Sequence, residues 1–170
     1  MSDIKIYKIG VISDTHGDLD ERVLAFLKDT DEVWHAGDIG DISVLDKLQS
    51  VKKTRAVFGN IDNALIRKEI PEFNRFQIEG IDVLITHIAG KPGKYSKQLQ
   101  KELDENGSPN ILVCGHSHIA LVKFDEVHNM LWMNPGACGY KGFHKIRTML
   151  RFDIVQGKPR NMELIELGKR

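Results

Sequence analysis

Ile111-Leu112-Val113-Cys114-Gly115-His116-Ser117-His118 is the stretch from which the rest of the chain is best read. A short apolar run of this kind predicts a buried strand. It halts at a glycine, and two imidazoles follow at i and i+2. In an extended chain both side chains would leave the backbone on one side, with Cα atoms about 6–7 Å apart. That spacing suits two neighbouring cations better than one. Alone, the pair reads equally well as two turn residues, so its meaning depends on what the other strand ends carry.

Four more apolar runs end in the same manner. Lys8–Ser13 predicts a first strand closing on Asp14-Thr15-His16-Gly17, and Glu32–Ala36 a second closing on Gly37-Asp38. Thr54–Phe58 predicts a third, closing on Gly59-Asn60, and Ile81–Thr86 a later one closing on His87. Between the first two, Leu19, Val23, Leu24, Phe26 and Leu27 recur at helical spacing, with Asp18 as N-cap. Ile42, Val44, Leu45 and Leu48 repeat the pattern behind Asp41. This alternation predicts an α/β layer with largely parallel strands.

After Pro71 strands dominate. Arg75–Ile78 and Ile81–Thr86 flank Glu79-Gly80 as a hairpin, and Ser96–Leu103 predicts a third, mostly polar helix ending near Asn106-Gly107. Ala120–Phe124, Leu131–Met133, Arg147–Val155 and Met162–Leu167 complete the strand set, the last two joined through Gly157. The residues thus predict a sheet-on-sheet core flanked by helices.

Composition narrows the function classes. The chain has 170 residues, 41% of them hydrophobic, which is enough to bury one substantial core. Lys plus Arg and Asp plus Glu are both 24, so there is neither a basic nucleic-acid footprint nor an acidic tail. Cys114 and Cys138 have no zinc-knuckle or disulfide spacing, and a reducing, cytoplasmic setting is the expectation. Met1–Lys5 lacks the apolar core of a signal peptide, and no apolar run approaches membrane-spanning length. A single domain over 1–170 is expected.

In α/β sheets, ligands bind outside the carboxyl ends of strands. The residues placed there are Asp14, His16, Asp38, Asn60, His87, His116 and His118: two aspartates, one asparagine and four histidines. Oxygen and nitrogen donors without a thiolate suit Mn, Fe, Zn, Co or Ni. Seven donors exceed one site and fit two sharing a carboxylate. Paired cations about 3.5–4 Å apart are the arrangement that clamps the oxygens of a phosphoryl displacement. With both aspartates and one hydroxide counted, about one positive charge remains to attract phosphate. Singly, Asp14 and Asp38 read equally as helix caps, and His16 and His118 as turn residues.

Taken together and in order, Asp14-Thr15-His16, Gly37-Asp38, Gly59-Asn60, His87 and Gly115-His116-Ser117-His118 resemble the motif set of the calcineurin-like metallophosphoesterases. The short length and Asn134-Pro135-Gly136 resemble the small prokaryotic phosphodiesterase branch, which also contains the retromer scaffold subunit. The resemblance runs from about Ile9 to Gly136. It implies a four-layer αββα sandwich of two mixed β-sheets flanked by helices. It also implies one metal on Asp14, His16, Asp38 and His118 and another on Asp38, Asn60, His87 and His116, with Asp38 bridging. The family habit of Mn, Fe, Zn or Ni makes two divalent ions per chain, Mn first, the implied cofactor. The implied reaction is phosphodiester hydrolysis by a metal-bridging hydroxide. Asp38, Asn60, His116 and His118 are its expected catalytic residues, with no covalent intermediate. A small-molecule phosphoester, no nucleic-acid polymer, no membrane and a homodimer are the implied associations. The alternative implied by the scaffold relative is a metal-binding interaction protein with weak catalysis.

Three positions depart from the family pattern. Ile61 stands where many relatives carry the histidine that protonates the leaving group, leaving Asp62 without that partner. Isoleucine donates no proton, so diesters or aryl esters are expected over alkyl monoesters. Ile88 follows His87 in place of glycine, and Ala137 replaces a frequent serine. Of the other histidines, His35 is expected to be a hydrogen-bonded core residue or a partner of a ligand. His128 is expected to be a solvated turn residue, and His144 a loop residue that does not take part in the site. Lys91 and Lys94 are candidates for a phosphate-attracting rim, while Lys97 and Lys101 read as a solvated helix face.

Overall fold

The structure, a computed structural model, describes residues 5–170; the polar start at residues 1–4 lies outside the described residues. In chain order the first half contains β1 (Ile6–Ile12), α1 (Glu21–Leu27), β2 (Glu32–His35), α2 (Ile42–Val51), β3 (Lys53–Ala56) and α3 (Ala64–Glu69). There follow β4 (Phe73–Ile78), β5 (Ile81–Thr86), β6 (Gly90–Lys91), β7 (Lys94–Tyr95), α4 (Lys97–Asn106) and β8 (Ile111–Val113). β9 (Ala120–Asp125), β10 (Met130–Pro135), β11 (Ile146–Val155) and β12 (Lys158–Lys169) complete the chain.

Two five-stranded mixed sheets form, in the orders β12-β11-β1-β2-β3 and β4-β5-β8-β10-β9. β1, β2 and β3 are parallel, as are β5, β8 and β10, while the outer pairs are antiparallel. Alternation along the strands divides their apolar residues into layers. Ile9, Val11, Trp34 and Phe152 of one sheet meet Val83, Ile85, Val113 and Met133 of the other. Val23, Leu27, Val44, Leu45 and Leu48 cover the outer face of the first sheet from α1 and α2, and Leu99 and Leu103 cover that of the second from α4. The result is the expected αββα sandwich. Trp34 joins its two halves, meeting Phe76 and Phe152 edge-on at centroid distances of 5.4 and 5.5 Å, each contact worth about 1 kcal/mol beyond burial.

Local expectations held unevenly. The hairpin through Glu79-Gly80 and the Asp41 cap are present. Ser96 caps the polar helix, which is the fourth. The N-cap of α1 is Asp20, whose side chain accepts from the Val23 amide, and not Asp18. Two turn residues more are needed after Gly17 because residues 14–17 are still paired to the β2 side, Gly17 N donating to Ile39 O at 2.7 Å. Helix α3 was not foreseen: capped by Asn63 and burying only Ile66, it is too short to display a period. β3 ends at Ala56, before the expected Phe58.

Candidate metal centre

The carboxyl ends of β1, β2, β3, β5 and β8 converge on one edge of the sandwich, and the backbone leaves the strand conformation there. Asp14, His16, Asp38, His116 and His118 have φ of 55°, 49°, 54°, 68° and 57°. These left-handed conformations are several-fold enriched in Asp and His but still uncommon, and such strain gathers at functional sites. The other non-glycine residues of this kind, Glu79, Asn129, Gln156 and Asn161, lie in hairpin turns or at a bulge in β12. The pair His116 and His118 is therefore not extended. Two left-handed residues, and not a strand repeat, send one imidazole toward His87 (centroids 5.2 Å apart) and the other toward His16 (5.3 Å).

Two groups of donor atoms result, Asp14/His16/His118 and Asp14/Asp38/His87. In the first, His118 Nε2 lies 3.1 Å from Asp14 Oδ1 and 3.4 Å from His16 Nε2. In the second, His87 Nε2 lies 3.2 Å from Asp38 Oδ1. Asp38 turns its other oxygen to His16, 3.7 Å away, so its carboxylate faces both groups. Asn60 and His116 stand at the exposed rim on the His87 side.

Asp14 Oδ1 and His87 Nε2 are buried without a hydrogen-bond partner. For His87 the reason is chemical. Its Nδ1 lies 2.7 Å from the Ala36 carbonyl, which only accepts, so Nδ1 carries the hydrogen. In the neutral ring Nε2 then turns a lone pair on the Asp38 carboxylate, an arrangement that calls for a cation between them. Burial alone would lower the His87 pKa, but Asp38 and Asp14 outweigh it and raise it. Burial would raise Asp38, but His87, the Ile61 amide and His16 hold its carboxyl below the usual range. The two shifts are opposite sides of one attraction: His87 lies in the negative field of the carboxylates, and Asp38 among imidazoles and an amide donor that favour its charged form. The donor set is carboxylate oxygen and imidazole nitrogen, fitting a borderline divalent cation; Cys114 and Cys138 are buried free thiols outside both groups, and burial pushes Cys138 up to about 12.

A family model described as the calcineurin-like phosphoesterase superfamily domain matches residues 7–157. The chain belongs to this superfamily. Among its relatives is a probable metallophosphoesterase of Methanocaldococcus jannaschii, 35% identical over 135 residues, covering 76% of this chain and 67% of the relative. A phosphodiesterase of the same archaeon is 28% identical over 150 residues, covering 78% and 86%. The fold is shared with Vps29 of Entamoeba histolytica, solved in complex with Zn2+, at a TM-score of 0.65 and 17% identity over 95% of this chain and 99% of that one.

In this calcineurin-like phosphoesterase the loops bearing the donors are held by residues that sequence reasoning missed or misassigned. Asp62 lacks a histidine partner, as expected, but it has others. Buried, it accepts from the amides of Ile39 at 3.1 Å, Gly40 at 2.7 Å and Gly59 at 2.7 Å, tying the Asp38 loop to the Asn60 loop. Gly59 is required where it stands because a Cβ there would strike Asp38 Oδ1. Arg67 clamps the same loop, donating from Nε to the Asp62 carbonyl (2.7 Å) and from Nη2 to the Gly59 carbonyl (3.1 Å). Asn134 donates to the Gly115 carbonyl at 2.7 Å and to Ser117 Oγ at 3.1 Å, fixing the turn that carries His116 and His118. Arg147, buried, makes paired 2.7 Å bonds to Asp20 and stacks on Tyr140. His128 is half-buried and bonded to Asp125 at 2.9 Å, correcting the solvated reading: Asp125, which also accepts from Tyr95, anchors that turn. Lys91 and Lys94 are exposed on the small β6–β7 ribbon. No signal in one sequence marks the long-range partners among these, Asp62 with Ile39 and Gly40, Asn134 with Gly115, and Arg147 with Asp20.

His35 is the core residue expected. Its Nδ1 accepts from the Gly37 amide (3.2 Å), so Nε2 carries the hydrogen toward Thr15 Oγ1 (2.9 Å), which donates to the Ile39 carbonyl. Burial pulls its pKa down to about 4, with the nearby carboxylates opposing. Because the folded pKa lies below the unfolded one, the unfolded chain binds the extra proton between these values. The stabilisation is complete above about 6.5 and is lost as pH falls toward about 4, up to roughly 3 kcal/mol. His35→Gln, which keeps a donor toward Thr15, should flatten the loss. Urea denaturation of metal-free protein at pH 7 and pH 4.5 reads the difference, and equal slopes in both proteins would refute it.

Proposed function

We propose that this protein is a dinuclear metal-dependent phosphodiesterase. The observation that carries the reading is the convergence of Asp14, Asp38, His16, His87 and His118 with two of their buried polar atoms unpartnered. Asp14, His16, Asp38 and His118 would hold one cation and Asp38, Asn60, His87 and His116 the other, with Asp38 shared between them. Mn is the first choice, with Fe, Zn, Ni or Co as substitutes; the Zn2+ complex of a protein of the same fold supports a divalent ion here. Such a pair supplies Lewis acidity and an ionised water near neutral pH.

The chain's own residues orient the ester. His116, at the exposed rim, would border the reacting phosphoryl group and His118 would act on it through the cation it holds, while Asn60 contributes a carbonyl oxygen without a further negative charge. Beside His87 a pocket of about 250 Å3, lined by Phe58, Asn60, Arg67, Thr86, Ile88 and Gln98 among others, receives one ester substituent. Ile61 is 47% exposed and presents no acid to the leaving group. Hydrolysis therefore favours esters whose leaving group departs as an anion. With Mn2+, turnover of bis-p-nitrophenyl phosphate should exceed that of glycerol phosphate by on the order of 100-fold, the contribution of a missing general acid. Equal rates would refute this account of Ile61. The phosphodiesterase name of one archaeal relative supports the same substrate class.

A second reading, a metal-binding scaffold with weak catalysis, is favoured by the apolar edge strand β9. Leu121 and Phe124 there are 43% and 51% exposed, and the fold is that of Vps29. No turnover of the diester with Mn, Zn, Co or Ni, in protein that binds them, would select this reading. We place the protein in the cytoplasm as a single domain, with a homodimer the expected state; among the described residues no helix is long and apolar enough to cross a membrane.

A further inference from the structure

The loop after Asn134-Pro135-Gly136 closes over one of the two donor groups. Lys141 Nζ donates to the His16 carbonyl at 3.0 Å. Phe143 stacks on His118, with centroids 5.3 Å apart and planes inclined by 12°. A Cβ at Gly142 would strike the His118 ring. Between these contacts, buried His144 brings its Nδ1 to 3.1 Å from His118 Nδ1, and its Nε2 lies 3.0 Å from the Gly139 carbonyl.

The direction of this chain follows from its far end. A carbonyl only accepts, so His144 Nε2 carries a hydrogen, and in the neutral ring His144 Nδ1 is left as the acceptor. The hydrogen shared with His118 must then sit on His118 Nδ1. That fixes His118 with its Nε2 lone pair free, 3.1 Å from Asp14 Oδ1. Gly139 is itself tied to the site, its amide donating to the Asp14 carbonyl at 3.2 Å. The relay thus begins and ends on the same residue, Asp14.

We propose that His144 is a positioning residue: through the bond to His118 Nδ1 it holds His118 in the one tautomer whose Nε2 can ligate a cation. The consequence for metal affinity rests on the proposed metal centre; the tautomer does not. A partner of this kind to a ligating imidazole is worth about 10- to 100-fold in metal affinity. The opposite half of the site is built alike, since His87 donates from Nδ1 to the Ala36 carbonyl. The difference is that a side chain, which can be exchanged, does the work for His118.

Long-range 15N–1H correlation spectra of metal-free protein above pH 8 read the tautomer directly. Wild type should show His118 protonated at Nδ1 only. His144→Leu should shift it to a mixture, and His144→Asn should restore it, because Asn Oδ1 occupies the place of ring Nδ1. Chelator competition with Zn2+ should give about 10- to 100-fold weaker binding in H144L, recovered to within about 3-fold in H144N. His118 protonated at Nε2 in wild type would overturn the inference, even if H144L does not fold. So would an H144L protein with unchanged tautomer and Zn2+ affinity. A wild type with the expected tautomer that binds no Zn2+, Mn2+, Co2+ or Ni2+ would instead overturn the proposed metal centre and leave the positioning role intact.

Discussion

Asp38→Ala is expected to reduce diester hydrolysis at least about 1,000-fold and to lower the metal content of protein purified without chelators from near two ions per chain to one or fewer. The reason is position. Asp38 Oδ1 lies 3.2 Å from His87 Nε2 and Oδ2 lies 3.7 Å from His16 Nε2, so among the described residues Asp38 turns a separate oxygen to each donor group, whereas Asp14 addresses both through Oδ1 alone. In the dinuclear centre we propose, removing it would delete a ligand from each half and one of the two negative charges that balance the cations. Asp14 would then be the one carboxylate left among histidines to face a remaining ion, and the charge that would attract the ester would be less firmly anchored. Asp38→Asn keeps the shape and the Ile61 amide contact to Oδ1 (3.1 Å), and should lose activity nearly as fully, which separates charge from packing. Elemental analysis and the bis-p-nitrophenyl phosphate assay check both variants. Full activity of D38A with added Mn2+ would refute the bridging role.

The second large effect is on stability. Asp62→Ala should cost about 4 kcal/mol and lower the melting temperature by roughly 10 °C, because three amides that now donate to one buried carboxylate would each lose their acceptor. Asp62 is 4% exposed, so water replaces the lost oxygens poorly. The damage would not stay local. The Ile39 and Gly40 amides belong to the loop after Asp38 and the Gly59 amide to the loop carrying Asn60, so the variant lets two ligand-bearing loops separate. Weaker metal binding should accompany the lost stability. Asp62→Asn, which retains one acceptor oxygen, should fall between. Calorimetry of metal-free protein decides: a D62A melting point within about 2 °C of wild type would show that the carboxylate is not the clamp we describe.

Much of the architecture was open to a reading of the sequence because it depends on short-range rules. The apolar runs ending at Ser13, Ala36, Phe58, Thr86 and Cys114 forecast five strands, their ends slipping by a residue or two, and the helical repeats over Leu19–Leu27 and Ile42–Leu48 forecast α1 and α2. The turn chemistry of Glu79-Gly80 and Gly157 forecast two hairpins. Helix α3 escaped because one buried residue, Ile66, makes no period. Asp18 reads as the cap that Asp20 provides, since nothing local says that the chain remains tied to Ile39 through Gly17. The missing histidine beside Asp62 is legible at Ile61, but only the amide partners of Asp62 reveal a structural clamp.

The site divides along the same line. The sequence by itself determined which donor types the chain offers and that each follows a strand: Asp14, His16, Asp38, Asn60, His87, His116 and His118. It also determined the absence of an acid at Ile61. Only the tertiary structure decided how those donors meet. The left-handed backbone at Asp14, His16, Asp38, His116 and His118 aims them, and loop contacts spanning up to 125 residues of chain hold that backbone. The tautomers of His87 and His118 were likewise decided there, by the Ala36 carbonyl and by His144. Strand periodicity is a property of neighbours in the chain. A ligand's aim, its tautomer and the charge around it depend on partners that come near only after folding.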